Sequence, residues 1–264
     1  MTPTTAPAPR STRTPAAARL AAAALGLAVA LATLAGCGAG GAPAGDEAAG
    51  SSAATSTDPP ADAAGDPAPT LVARPTAAIE VLAAPGDGEP FVTLPPTTGF
   101  GSPRVLTVLE RREGWLHVSL PVRPNGTTGW VRADGVALGS VAHAVTVDLA
   151  ARTLTLTDAG EVVLTTPVAI GTDEFPTPTG TFFVADKLAT GEEGGAYGPV
   201  ALGLSGYSDV LTEFAGGDGQ VGIHGTNDPG TIGEAVSHGC IRVPNDVVTR
   251  MAEDLPLGTP VTIA

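Results

Sequence analysis

Gln220-Val221-Gly222-Ile223-His224-Gly225-Thr226-Asn227 and, a loop later, Ser237-His238-Gly239-Cys240-Ile241-Arg242-Val243 are the most informative stretches of the chain. The first reads as a β-strand running into a loop, with His224 at the strand's end. The second carries Cys240 directly after a glycine. A thiol with its ordinary pKa of about 8.5 is mostly protonated at neutral pH. A nearby imidazole can accept that proton, and cysteine pKa values in such pairs fall to about 3.5–7.5. The pattern therefore predicts a nucleophile, Cys240, with a base, His224, and a lowered cysteine pKa. Gly239 lets a reacting carbonyl approach the backbone, whose N–H groups would form an oxyanion hole. A zinc site built from His224, His238, Cys240 and Asp228 is the competing reading, but the intervening loop holds no further cysteine or histidine. Arg242 suits either a pairing with Asp246 or contact with a substrate.

Working outward, Ala144–Asp148, Thr153–Thr157 and 161–170 read as a three-strand meander with an Asp158-Ala159-Gly160 turn. Thr181–Ala185 and Val200–Leu204 add two strands, and Val261-Thr262-Ile263 a last short one. A single helix is expected after Asn245 as N-cap, with Asp246 at the positive helix end and Val247, Val248, Met251, Ala252 and Leu255 as its apolar stripe. Tyr197 and Tyr207 flank a Gly-rich segment, either as a cover over the site or as packed residues. His143 opens a strand far from the motif and is expected at the surface.

Further upstream, Ile79–Leu82, Phe91–Leu94, Arg104–Leu109, Trp115–Leu120 and Thr128–Arg132 are short alternating runs separated by Gly, Pro and Asn turns, the pattern of a small sandwich or barrel. Residues 76–139 resemble a small bacterial SH3-like barrel. Trp115 and Trp130 would either line a groove of it or form its core, and His117 would sit at its surface. Residues 37–75, rich in Ala, Gly, Pro, Ser, Thr and Asp, are too poor in apolar surface to offset their ordering entropy and read as a disordered tether.

Residues 1–36 look like a secretory signal, with basic Arg10, Arg13 and Arg19 before an apolar run from Leu20 to Ala35. Leu34-Ala35-Gly36-Cys37 resembles the lipobox of bacterial lipoproteins, in which the cysteine is lipidated. The resemblance implies a protein held on the cell membrane through Cys37 and facing the cell wall, outside the cytoplasm. Two acyl chains hold a membrane stably where one does so only marginally. There, a cysteine without a disulfide partner calls for a use, and Cys240 has one.

The 264-residue chain carries a net charge of −14, from 13 basic and 27 acidic residues. Lys187 is its single lysine and no basic run occurs, which excludes nucleic acid as a partner. Charged residues make up 15% and aromatics 4%, while Gly and Pro number 35 and 25, a composition suited to a loop-rich β protein and not to a helical bundle.

The motif pair His224-Gly225-Thr226-Asn227 and Ser237-His238-Gly239-Cys240-Ile241-Arg242 is similar to the signature of the L,D-transpeptidase catalytic domain, and Pro176–Phe182 and Leu257–Val261 match the family's style. The resemblance covers roughly 141–264. With the upstream module it implies a mainly β chain, in which a small SH3-like barrel (76–139) precedes a mixed β-sheet catalytic domain (140–264) with one or two short helices. It implies peptidoglycan stem peptides as substrate, Cys240 as nucleophile and His224 as its base, and no metal or organic cofactor. The family's third member is a backbone carbonyl after that histidine, here Gly225; Ser237, His238, Gly239 and Arg242 become supporting residues. Papain-like enzymes share the Cys/His chemistry, but their cysteine precedes the histidine. The expected reaction is acyl transfer through a thioester, from a stem tetrapeptide cleaved after its third residue. Hydrolysis of the same stems, an L,D-carboxypeptidase activity, and a silent wall-binding scaffold are the alternatives.

Overall fold

Seven short strands open the folded chain in this computed structural model, which describes residues 68–213 and 216–264. They are β1 (Thr70–Pro75), β2 (Ile79–Val81), β3 (Val92–Leu94), β4 (Leu106–Arg112), β5 (Trp115–Ser119), β6 (Thr128–Arg132) and β7 (Val136–Val141). The expected signal segment, Cys37 and the expected tether as far as residue 67 lie outside the described residues. Five of the strands form an antiparallel sheet in the order β6-β5-β4-β1-β7. The β2–β3 hairpin is bonded to β6 through Leu82 and Trp130, whose backbones exchange both hydrogen bonds.

Strand β1 starts the folded part earlier than the tether's expected end at residue 75. Val72 and Ala73 are fully buried, and the strand pairs with both β4 and β7. Leu71-Val72-Ala73 is too short to show a period of two, and its partners lie far down the chain. Strand β5 shows a regular pleat: Leu116 and Val118 point inward while Trp115, His117 and Ser119 keep some exposure. Trp130 belongs to the packed body, 6% exposed, with the His117 ring stacked on it at 4.8 Å and the Arg112 guanidinium 4.5 Å from its centre. Trp115 is half-buried and carries the Arg132 guanidinium at 5.1 Å.

Ten further strands and a helix follow: β8 (His143–Asp148), β9 (Thr153–Asp158), β10 (Glu161–Pro167), β11 (Ile170–Gly171), β12 (Gly180–Ala189), β13 (Val200–Tyr207), β14 (Gln220–His224), β15 (Ala235–Ser237), β16 (Ile241–Arg242), α1 (Asn245–Asp254) and β17 (Pro260–Ile263). Eight of these strands form a mixed sheet in the order β10-β9-β8-β17-β12-β13-β14-β16. The C-terminal β17 inserts parallel to β8 and antiparallel to β12, and β14 runs parallel to β16. The β9–β10 hairpin turns at Ala159 and Gly160, both at positive φ (48° and 87°), the geometry that suits the right-handed twist of the strands.

The core of this sheet is Val145, Val147, Leu154, Leu156, Phe182 and Val184 with their neighbours, capped by Val248 and Met251 of α1. Phe183 and Ala185 alternate with Phe182 and Val184 and so face the other way, into the core of the upstream strands beside Leu106, Leu116 and Val131. The helix is present as expected, but Asn245 is not its cap. Pro244, which has no polar side chain to cap with, holds that position, and the Asn245 carboxamide accepts from the Thr226 N–H instead.

Candidate active site

The parallel pairing of β14 with β16 sets Ile223 opposite Ile241 and His224 opposite Arg242. Cys240, the residue before β16, therefore comes to the strand that ends in His224. Cys240 is a free, half-buried thiol. His224 is 4% exposed, and its Nδ1 lies 2.6 Å from the Gly225 carbonyl oxygen. A carbonyl only accepts, so Nδ1 carries the proton and Nε2 is left with its lone pair.

Burial decides the charges. It pushes the His224 pKa down from 6.5 to about 4, with the Gly225 hydrogen bond opposing it and the nearby Arg242 charge adding to it. It pushes the Cys240 thiol up, and the Gly222 backbone and the Arg242 charge pull it back only in part. The sequence predicts a cysteine lowered by its histidine; the structure reverses that. Desolvation disfavours both ions of a thiolate–imidazolium pair, so the resting pair is a neutral thiol beside a neutral imidazole. A neutral imidazole whose Nε2 keeps its lone pair can accept a proton.

The turn that carries Cys240 is held by Ser237. The Gly239 N–H donates to Ser237 Oγ at 3.1 Å, and that hydroxyl donates to the Cys240 carbonyl at 2.5 Å. Gly239 has φ +111°, a conformation that a side chain would strain. Its amide is thus committed to Ser237 and is not a donor for an oxyanion. His238 is exposed, its ring 4.9 Å from that of Phe175. Arg242 lines the cleft half-buried, its Nε has no hydrogen-bond partner, and it forms no ion pair with Asp246 among the described residues. Its backbone pairs with Ala169. Asp228 caps a short 3-10 turn outside both clefts, and no cluster of three or more His, Cys, Asp or Glu able to hold a metal occurs among the described residues.

Tyr197 stands at the site, its ring 4.6 Å from that of His224, while Tyr207 does not: its hydroxyl donates to the Pro121 carbonyl at 3.1 Å, on the upstream module. His143 is half-buried next to Asp158, 3.7 Å away. Three residues to which the sequence reading gives no part in the site make contacts around it. Asn245 Oδ1 accepts from the Thr226 N–H at 2.7 Å, fixing the loop after His224. Gly198 lies so close to Asn245 and Gly225 that a Cβ there would come within 2.4 Å of Asn245 Oδ1. Thr177 Oγ1 accepts from the buried Gly171 N–H at 2.9 Å. Contacts between distant loops leave no periodic trace in the sequence. Two adjoining clefts, of about 290 and 620 Å³, both reach His224, Cys240 and Tyr197.

Residues 142–263 match the family described as YkuD, the L,D-transpeptidase catalytic domain. YkuD of Bacillus subtilis (strain 168), a protein named as an L,D-transpeptidase, is 38% identical over 124 residues, 47% of this chain and 67% of that protein. The chain belongs to this family. YqjB of the same organism, likewise named as an L,D-transpeptidase, is 36% identical over 104 residues, 36% of this chain and 56% of that protein. Among solved structures, a cysteine-to-serine variant of Enterococcus faecium L,D-transpeptidase is 26% identical with a TM-score of 0.35, over 46% of this chain and 49% of that one. The family span begins at residue 142, so β1–β7 lie outside it.

Proposed function

We propose that the protein is a peptidoglycan L,D-transpeptidase working through a Cys240 thioester. The observation that carries the reading is the His224 ring, neutral, buried and oriented by the Gly225 carbonyl, in the same clefts as a free thiol. Cys240 Sγ attacks the carbonyl of the third residue of a stem tetrapeptide while His224 Nε2 takes the thiol proton. His224 returns that proton to the amine of the departing D-alanine, leaving a thioester. A side-chain amine of a second stem, deprotonated by His224, then attacks the thioester, so that an amide cross-link forms and the thiol is restored. Arg242, half-buried on the wall of the smaller cleft, suits a substrate carboxylate. Incubation of the protein with tetrapeptide muropeptides, read by mass spectrometry, tests this: cross-linked dimers support it. Tripeptides alone would make it a carboxypeptidase, and unchanged substrate a scaffold.

We read residues 1–36 and Cys37 as a lipoprotein signal that holds this chemistry at the membrane, facing the wall, and the upstream strands as an SH3-like module. Cys37→Ala should leave the chain unprocessed and without a lipid adduct. A mature protein beginning at a residue other than Cys37 would overturn the anchor.

A further inference from the structure

The module before residue 142 reaches the active-site cleft. Its β3–β4 connection is a tight turn in which Thr97 bridges Pro103, the Thr98 N–H donates to the Ser102 carbonyl at 2.9 Å and the Gly101 N–H to the Thr98 carbonyl at 3.1 Å. Gly101, at φ +85°, takes the left-handed corner. Arg104 braces the base, with Nε 2.6 Å from the Pro95 carbonyl and Nη2 3.1 Å from that of Thr97.

The turn is also tied to the strands that carry the site. Asp186 of β12 is 1% exposed. One of its carboxylate oxygens accepts from Thr98 Oγ1, and the other from Gln220 Nε2 of β14 at 3.4 Å. Gln220 itself lines both clefts. A buried carboxylate is costly unless hydrogen-bonded, so the module's turn and β14 share one polar tie.

At the tip of this pinned turn is Phe100, 59% exposed. A single exposed apolar side chain ordinarily needs no explanation. Phe100, however, is a wall of the 620 Å³ cleft, together with Leu188, Tyr197 and Val221, and His224 and Cys240 line the same cleft. That volume is of the order that holds a small ligand, and its wall is largely apolar. The stem peptide of the proposed reaction offers matching chemistry in its alanine methyl groups and the aliphatic chain of its diamino acid.

We propose that Phe100 is a specificity-determining residue, packing against the aliphatic part of the bound stem peptide. The inference rests on the proposed transpeptidase function, and it makes the upstream module part of the substrate site. The family domain alone would lack this wall.

The test uses the full chain with a free stem tetrapeptide and with its disaccharide-linked form. Phe100→Ala should raise KM about tenfold on both, the effect of losing one well-packed aromatic contact, with kcat changed less than about twofold. Phe100→Leu should recover most of the loss. The rate of Cys240 alkylation by iodoacetamide should match wild type, showing that the thiol and its histidine are undisturbed. An unchanged KM on both substrates would overturn the proposal, as would an effect confined to the disaccharide form, which would mean a sugar contact. Absence of turnover by the wild-type protein would count against the proposed function alone. Phe100 would then be judged by tetrapeptide binding to the Cys240→Ala protein: weaker Kd with Phe100→Ala added supports the contact, and equal Kd refutes it.

Discussion

His224 is buried as a neutral imidazole, and two pH dependences follow from its depressed pKa, the first of them through its proposed role as base. In the rate, the free-enzyme acid limb of kcat/KM for thioester formation should lie near pH 4, where the imidazole titrates, and not near the 6.5 of an ordinary histidine. A limb centred near 6.5 would show that the ring is solvated when it acts. In stability, the unfolded chain binds a proton at this histidine between 6.5 and about 4 while the folded chain does not. Stability should therefore be full above pH 6.5, fall as the pH drops, and have lost this contribution below about 4. The shift corresponds to about 3 kcal/mol at 1.36 kcal/mol per unit. Urea unfolding at about pH 4.5 and about pH 7 should show a smaller difference for His224→Asn than for wild type. The two residues stood out in the sequence, a strand-end histidine and a cysteine in a tight glycine turn, and the structure brings both to the same clefts. The sign of the thiol's shift was not legible there, since desolvation is set by packing from β12, β13 and the loops around β14, none of which the motif itself encodes.

Asn245 shows how one element's start can serve another's loop. Read locally, an asparagine before an apolar stripe at helical spacing is an N-cap, and the stripe was legible because α1 buries Val248 and Met251 from it. The carboxamide nevertheless goes to the Thr226 N–H, next to the carbonyl that orients His224. Asn245→Ala should leave that amide without an acceptor, costing about 1–3 kcal/mol. It should also slow Cys240 acylation as the His224–Gly225 corner loosens. Asn245→Asp keeps the acceptor oxygen and should retain most of both. Thermal unfolding and adduct formation by intact mass check the pair. Equal behaviour of the Ala and Asp variants would mean that the bond is incidental. Gly198→Ala acts on the same contact from the opposite side, because its φ of +60° and the adjacent Gly225 backbone leave no room for a methyl group.

Over the whole chain, the strand β12 is read on both faces. Phe182 and Val184 fill the core of the catalytic sheet, and Phe183 and Ala185 fill the core of the upstream module. The run Thr181-Phe182-Phe183-Val184-Ala185 was legible as a strand, but its continuous apolar character, with no polar face, marks a strand covered on both sides. Across the boundary near residue 140 drawn from sequence, Phe183 and Ala185 of β12 belong to the core of the upstream strands. Arg123 adds to the join from the module side, donating to the carbonyls of Ser208 and Asp218 at 2.6 and 2.8 Å. Residues 68–264 should accordingly unfold in one cooperative transition, by denaturant or heat, with fluorescence and far-UV dichroism coinciding. Phe183→Ala should lower the stability of the whole by about 3–5 kcal/mol, the usual cost of removing a buried phenylalanine ring. The fragment 142–264, the family span with its last residue, would turn Phe183 and Ala185 out to water and leave the Asp186 carboxylate without Thr98. It should aggregate or melt well below the longer fragment. Two separate transitions in 68–264, or a soluble 142–264 fragment with an unchanged Tm, would show that the module is an independent appendage and that β12 tolerates an open face.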